Sequence, residues 1–185
     1  SFWDLGNAYG PSSFWKAAEK GEYVIVEFDA ETEISRMACS NNIPKNGSYT
    51  VYYEDGDGTG EYKKFESISM ETFFEWKFTD KKVTTKRIKV VADTAGLAVN
   101  ELGFFAKDSN GEYKRINLKV TETKYNKDLN EDCNPGMLFD EQEVVEPYSS
   151  YRSSTYFDEI YFPRTAYESI NGYDIYEITH PPMGK

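Results

Sequence analysis

Apolar and polar residues alternate with a period of two through the first 120 residues, and that alternation restricts the chain to half-buried strands. In Glu22-Tyr23-Val24-Ile25-Val26-Glu27-Phe28, the residues Val24, Val26 and Phe28 share one face, and Tyr23, Ile25 and Glu27 share the other. Ser48-Tyr49-Thr50-Val51-Tyr52-Tyr53-Glu54 is β-branched and aromatic, as a pleated surface prefers. It runs into Asp55-Gly56-Asp57-Gly58-Thr59-Gly60, whose glycines supply the positive φ of a turn. Further strands are expected at 34–40, 62–68, 73–78, 85–92, 97–106 and 113–120, with a hairpin at Asn110-Gly111. A short helix is expected over 13–20, with Ser12 or Ser13 as its cap and Gly21 as its stop. The pattern as a whole predicts an all-β fold, an antiparallel jelly roll or β-sandwich, followed by a partly helical, irregular C-terminal appendage.

Composition narrows the function classes. The formal net charge of -11 disfavours sequence-independent nucleic-acid binding and docking on an anionic membrane by charge alone. No apolar run is long enough to span a bilayer. Cys39 and Cys133 form no CxxC or Cys/His cluster, so no metal is expected; a disulfide between them and two free buried thiols both fit the sequence. Asp55 and Asp57 sit among glycines as in a calcium loop, but the set lacks a third ligand and a distal bidentate glutamate, so it reads as a solvated hairpin turn. Lys81, Lys82, Lys86, Arg87 and Lys89 read as one solvated strand face with its entry turn. Trp3, Trp15 and Trp76 are candidates for stacking on sugar rings, and equally for the core or the edge of the sandwich.

The pattern breaks down after residue 120. Residues 121–135 are polar, aperiodic and end in Asn134-Pro135-Gly136, which is turn chemistry, so they are expected to link the sandwich to a segment over 136–185. In that segment Thr155 can cap a short helix with Asp158 and Glu159 near its positive end, Pro163 breaks it, and a second helix runs near 164–170. On a helix, adjacent carboxylates point about 100° apart, so Asp158 and Glu159 do not form a facing acid/base dyad. They either cap the helix or do separate jobs, one taking a proton from a hydroxyl and the other orienting a substrate or pairing with Arg164. His180 is the only histidine and precedes two prolines, with no zinc partner in view.

Two resemblances add to these readings. Ser13-Phe14-Trp15-Lys16, Tyr23-Val24-Ile25-Val26-Glu27-Phe28-Asp29, Thr85-Lys86-Arg87-Ile88-Lys89-Val90 and Asn100-Glu101-Leu102-Gly103-Phe104-Phe105 occur in an order that resembles the discoidin (coagulation-factor type C-like, galactose-binding-like) jelly roll. That resemblance covers roughly the first two-thirds of the chain and implies a domain of the kind that often binds glycans or lipid headgroups through loops at one end.

The tail shows Leu138-Phe139-Asp140-Glu141-Gln142, Tyr156-Phe157-Asp158-Glu159-Ile160-Tyr161, Arg164-Thr165-Ala166-Tyr167-Glu168 and Thr179-His180-Pro181-Pro182-Met183-Gly184-Lys185 in order. This resembles the first large extracytoplasmic loop of bacterial protein O-mannosyltransferase-like membrane glycosyltransferases, and departs from it at Phe162-Pro163. The resemblance implies that Asp158 is the base on an acceptor hydroxyl, that Glu159 helps position substrate, and that Arg164, His180 and Lys185 lie on the donor or substrate side. It further implies a polyprenyl-phosphate sugar donor, a protein or glycan acceptor, and a parent held in the membrane by flanking helices with this segment on the extracytoplasmic face. Since such a donor binds among membrane helices, the chain is expected to be a piece of a longer enzyme and to be catalytically silent alone. The competing expectation is a free-standing carbohydrate-binding or adhesion module.

Overall fold

The computed structural model describes residues 10–41, 43, 47–56, 60–70, 73–149, 170 and 172, and the side chains of all these except 70 and 73–75. The chain is an antiparallel β-sandwich. Among the described residues nine strands follow in order: β1 (Trp15–Lys16), β2 (Tyr23–Asn41), β3 (Gly47–Glu54), β4 (Tyr62–Met70), β5 (Phe73–Ala92), β6 (Ala98–Val99), β7 (Glu101–Lys107), β8 (Tyr113–Arg115) and β9 (Leu118–Lys124). A four-residue helix α1 (Lys127–Asn130) and 3₁₀ turns at Pro135–Leu138 and Gln142–Val144 follow.

The sandwich is built on two long strands that serve both of its layers. The first half of β2 pairs with the second half of β5 and with β9, from Tyr23 opposite Val91 and Lys124 onward. The second half of β2 pairs with the first half of β5 and with β7, with Arg36 opposite both Asp80 and Phe105. Register shifts at Glu27/Thr32 and Ile34/Arg36 separate the halves, and bulges of this kind bend and twist a strand. One layer therefore runs β4-β3-β5-β2-β9 and the other β5-β2-β7-β8. Residues 22–28 and 34–40, and likewise 73–78 and 85–92, are expected from the sequence as separate strands; the structure joins each pair through the bent middle. The break in alternation at Asp29-Ala30-Glu31-Thr32-Glu33, mostly exposed, marks the bend.

The core lies between the layers. Val24, Val26 and Phe28 from β2 meet Ile88 and Val90 from β5 and Leu102 and Phe104 from β7, all at most 1% exposed. Phe28 and Phe104 meet edge to face at 5.9 Å between ring centres. The opposite face of the second layer is also covered. Ala38, Trp76 and Phe105 form a smaller cluster there, closed by Val145.

Three expectations are corrected. Residues 13–20 are not a helix: Trp15 pairs with Val99 and Lys16 with Ala98, and Lys16 and Ala17 donate backbone N–H to Cys133 O and Leu97 O. Trp15 and Ala17 are both fully buried with Lys16 exposed between them, a period of two that the capping signals hid. The sandwich does not stop at residue 120, since β9 continues to Lys124 beside β2. Residues 136–145 also join it, with Leu138 and Phe139 in the main core and Val145 over the smaller cluster. The Asn110-Gly111 hairpin forms as expected, Gly111 taking φ 81° between β7 and β8.

Candidate functional site

The outward face of the first layer carries the residues best placed to meet a ligand. Cross-strand partners share a face, so the register puts Thr50, Val91 and Tyr23 in one row and Tyr52, Lys89 and Ile25 in the next. Tyr62 stands opposite Glu54 at the edge of the same face. Tyr52, Tyr62, Lys89 and Val91 line a cavity of about 260 Å³. The Lys89 ammonium lies 4.0 Å from the centre of the Tyr23 ring and 5.6 Å from that of Tyr62, within cation–π range of both.

The polar groups around this cavity are mutually engaged. The Tyr23 hydroxyl donates to Glu122 on β9. That bond to a carboxylate raises the Tyr23 phenol above its ordinary value, with burial adding to the shift. Glu27 receives Lys86 at 2.8 Å and Arg87 at 3.1 Å, which hold its carboxyl below the usual range. Arg87 also reaches Glu54 at 3.4 Å. Thr50 Oγ1 donates to Asp93 at 2.6 Å. The rings are thus presented by a hydrogen-bonded sheet and braced by their neighbours, which is how a preorganised binding face is made.

A larger cavity of about 650 Å³ is lined by Lys16 and residues 127–133. It offers backbone and charged groups and no aromatic ring, and Asn130, which bounds it, is tied to Lys16 O. The tyrosine face is the better candidate because it combines flat apolar rings with a cation.

Three carboxylates could share a cation: Glu101, Asp140 and Glu141 have oxygens within 4.8 Å of one another, a grouping that the sequence did not reveal because it joins β7 to the distant 140–141 segment. Glu101 is fully buried, and burial pushes its carboxyl up to about 9, against the bond from Gln142 Nε2 at 2.6 Å. Glu141 is already occupied by four donor contacts from Ser12 and Ser13, at 2.6 to 2.8 Å. Burial works against its charge, but those bonds keep its carboxyl below the ordinary value. The set reads first as the staple that fastens residues 12–13 and 140–142 to the sandwich.

The sequence-derived candidates fall elsewhere. Trp15 is 0% and Trp76 2% exposed, so both rings belong to the packing and neither offers a face to a sugar. The tyrosines supply the accessible rings instead; their signal in the sequence was the outward phase of Tyr23 and Tyr52 within alternating strands. Trp3, Asp158, Glu159, Arg164, His180 and Lys185 lie outside the described residues, as do the two helices expected around Thr155 and over most of 164–170. The first piece of the tail motif is described, and it is used for packing: Leu138 and Phe139 enter the core, and Glu141 and Gln142 make the staple. Asp55 pairs with Lys63 and its N–H closes the turn on Glu61 O at 2.9 Å, as a hairpin requires; Asp57 lies outside the described residues. Cys39 and Cys133 are both free thiols. Among the described residues, no helix is long and apolar enough to cross a membrane.

No family model matches the chain, and neither does any curated protein. Among solved structures the chain is similar to a pectin binding carbohydrate binding module, at 20% identity over 58% of this chain and 81% of that one, with a TM-score of 0.43. It is also similar to a Ruminococcus gnavus GH29 fucosidase solved in complex with fucose, at 15% identity over 60% of this chain, with a TM-score of 0.37; the matched part is 20% of that longer chain. These similarities give no support to a membrane mannosyltransferase parent and none to a discoidin domain specifically.

Proposed function

We propose that the chain is a glycan-binding β-sandwich and that the tyrosine face of its first layer is the sugar-contacting surface. The observation that carries this reading is the cavity bounded by Tyr52, Tyr62, Lys89 and Val91, with the Tyr23 ring beside it. A pyranose has one face of C–H groups and a rim of hydroxyls. Half-buried tyrosine rings on a rigid sheet match the first, and the charged and hydroxyl groups around them match the second. At about 260 Å³ the cavity lies just under the usual range for small-molecule sites, which suits a single sugar ring with the rest of an oligosaccharide lying along the exposed face. This mode differs from binding through end loops, because the contacts come from strand residues whose spacing the sheet itself fixes.

The test is a glycan array on the 185-residue chain, followed by calorimetry with the best hits against Tyr52→Ala and Tyr62→Ala. Truncation of a ring that stacks on the sugar is expected to weaken binding by about tenfold or more, with unchanged far-ultraviolet circular dichroism. Binding that survives both substitutions at full strength would remove the face from consideration.

A further inference from the structure

The geometry points to an anionic sugar, a unit carrying a carboxylate or a sulfate ester, as the preferred occupant of the tyrosine cavity, with Lys89 as the residue that recognises its charge. This inference rests on the glycan-binding reading of the same face. Lys89 is the cation that lines the cavity, and among the described residues it makes no ion pair. Its contacts are with ring faces, Tyr23 at 4.0 Å and Tyr62 at 5.6 Å. A ring face attracts the charge of an ammonium but supplies no lone pair to its three N–H donors, so Lys89 retains donors for an oxyanion.

The surroundings favour the same sign. Every carboxylate that the register places on this face is already engaged: Glu27 by Lys86 and Arg87, Glu54 by Arg87, Glu122 by the Tyr23 hydroxyl, and Asp93 by Thr50. Three further lysines, Lys64, Lys119 and Lys124, point outward from the flanking strands opposite Tyr52, Glu27 and Tyr23. Like Lys89, these three make no ion pair among the described residues, and all three are exposed. A protein with a net charge of -11 thus keeps unpaired cations on a face that also carries half-buried tyrosine rings. Local positive charge draws an anionic ligand to the face, while the net negative charge repels it from the rest of the surface.

The test is calorimetric titration of the 185-residue chain with uronic-acid oligosaccharides, the same oligosaccharides after carboxyl reduction, and sulfated oligosaccharides of the same backbones. Each is measured on the original chain and on Lys89→Met and Lys89→Arg. The acidic ligands are expected to bind at least about tenfold more tightly than the reduced ones at low salt, with the gap narrowing as salt rises. Lys89→Met is expected to abolish that gap, whatever its effect on the reduced ligand, whereas Lys89→Arg keeps most of it. Preference for the uronate set over the sulfated set, or the reverse, assigns the anion. Equal binding of acidic and reduced ligands, or a preference untouched by Lys89→Met, overturns the inference while leaving the glycan-binding reading in place. Failure of all three ligand sets to bind the original chain overturns both.

Discussion

Arg36 and Asp80 stand opposite each other on β2 and β5 as a two-pronged pair, Nε to Oδ1 at 2.6 Å and Nη2 to Oδ2 at 2.8 Å. The third arm of the guanidinium donates to Pro147 O at 2.8 Å, and its plane lies 4.3 Å from the centre of the Tyr113 ring and 5.5 Å from that of Tyr148. One side chain therefore fastens the 144–149 segment to the outer face of the second layer. Arg36→Ala is expected to destabilise the fold by about 2 kcal/mol, through lost hydrogen bonds to a charged group and lost ring contacts. Arg36→Lys keeps the charge but loses the fork, and is expected to recover less than half of that. Chemical denaturation gives the size, and faster hydrogen exchange confined to residues 144–149 would show the place.

Glu101 sets one direction of pH dependence. Its carboxyl is raised to about 9 in the folded chain by burial, against an ordinary 4.5, so the folded state holds a proton that the unfolded state releases. The stabilising contribution is complete below the ordinary value and is lost as pH rises towards the folded value, at no more than about 1.4 kcal/mol per pH unit. Thermal melts in chelator from pH 5 to 9 are expected to show a declining midpoint, and Glu101→Gln is expected to flatten the decline. A midpoint that rises over this range in chelator would contradict the buried, proton-holding state of Glu101.

Asp80 has the opposite sign. The Arg36 bonds lower its carboxyl, so its contribution is present above the ordinary value and is lost as pH falls through the folded one. With Arg36→Ala in place, the acid limb of the stability curve is expected to become shallower.

Gly103 sits directly beneath Val145, and a Cβ built on it would overlap Val145 Cγ1 and come within 3.2 Å of Val145 Cβ. Gly103→Ala is expected to cost about 1–3 kcal/mol by lifting the covering segment. Adding Val145→Ala should return part of that loss, a positive coupling that a double-mutant cycle reads directly.

The two thiols should react separately with an added reagent. Cys39 is 4% exposed, and burial pushes its thiol up to about 11, whereas Cys133 is half-buried. A disulfide-exchange reagent at pH 8 is expected to modify Cys133 in the native chain and Cys39 only after denaturation. Absence of free thiol in the denatured, unreduced chain would mean that the two are bridged.

Much of the sandwich was legible because its strands have one buried face each. Val24, Val26 and Phe28 declare their side of β2 by spacing alone, and Asn110-Gly111 declares its turn by the φ it permits. The joining of 22–28 to 34–40 was not legible, since the residues between them are polar at the bend and only the pairing with β5 shows the continuity. Residues 13–20 misled for a different reason. Serines and a glycine at the right places satisfy the rules of a helix, while the force that decides is burial of Trp15 against a strand more than 80 residues away. The tyrosine face was half legible. The outward phase of Tyr23 and Tyr52 is written in the alternation, but their meeting with Tyr62 and Lys89 depends on a strand order that no local pattern states. Tryptophans attract attention as sugar platforms because of their size, and size is also what draws Trp15 and Trp76 inside.

The sharing of β2 and β5 between both layers leaves the molecule without a seam. Melting either layer withdraws half of the same two strands from the other, so the sandwich is expected to lose its structure in one cooperative transition, without a half-folded intermediate.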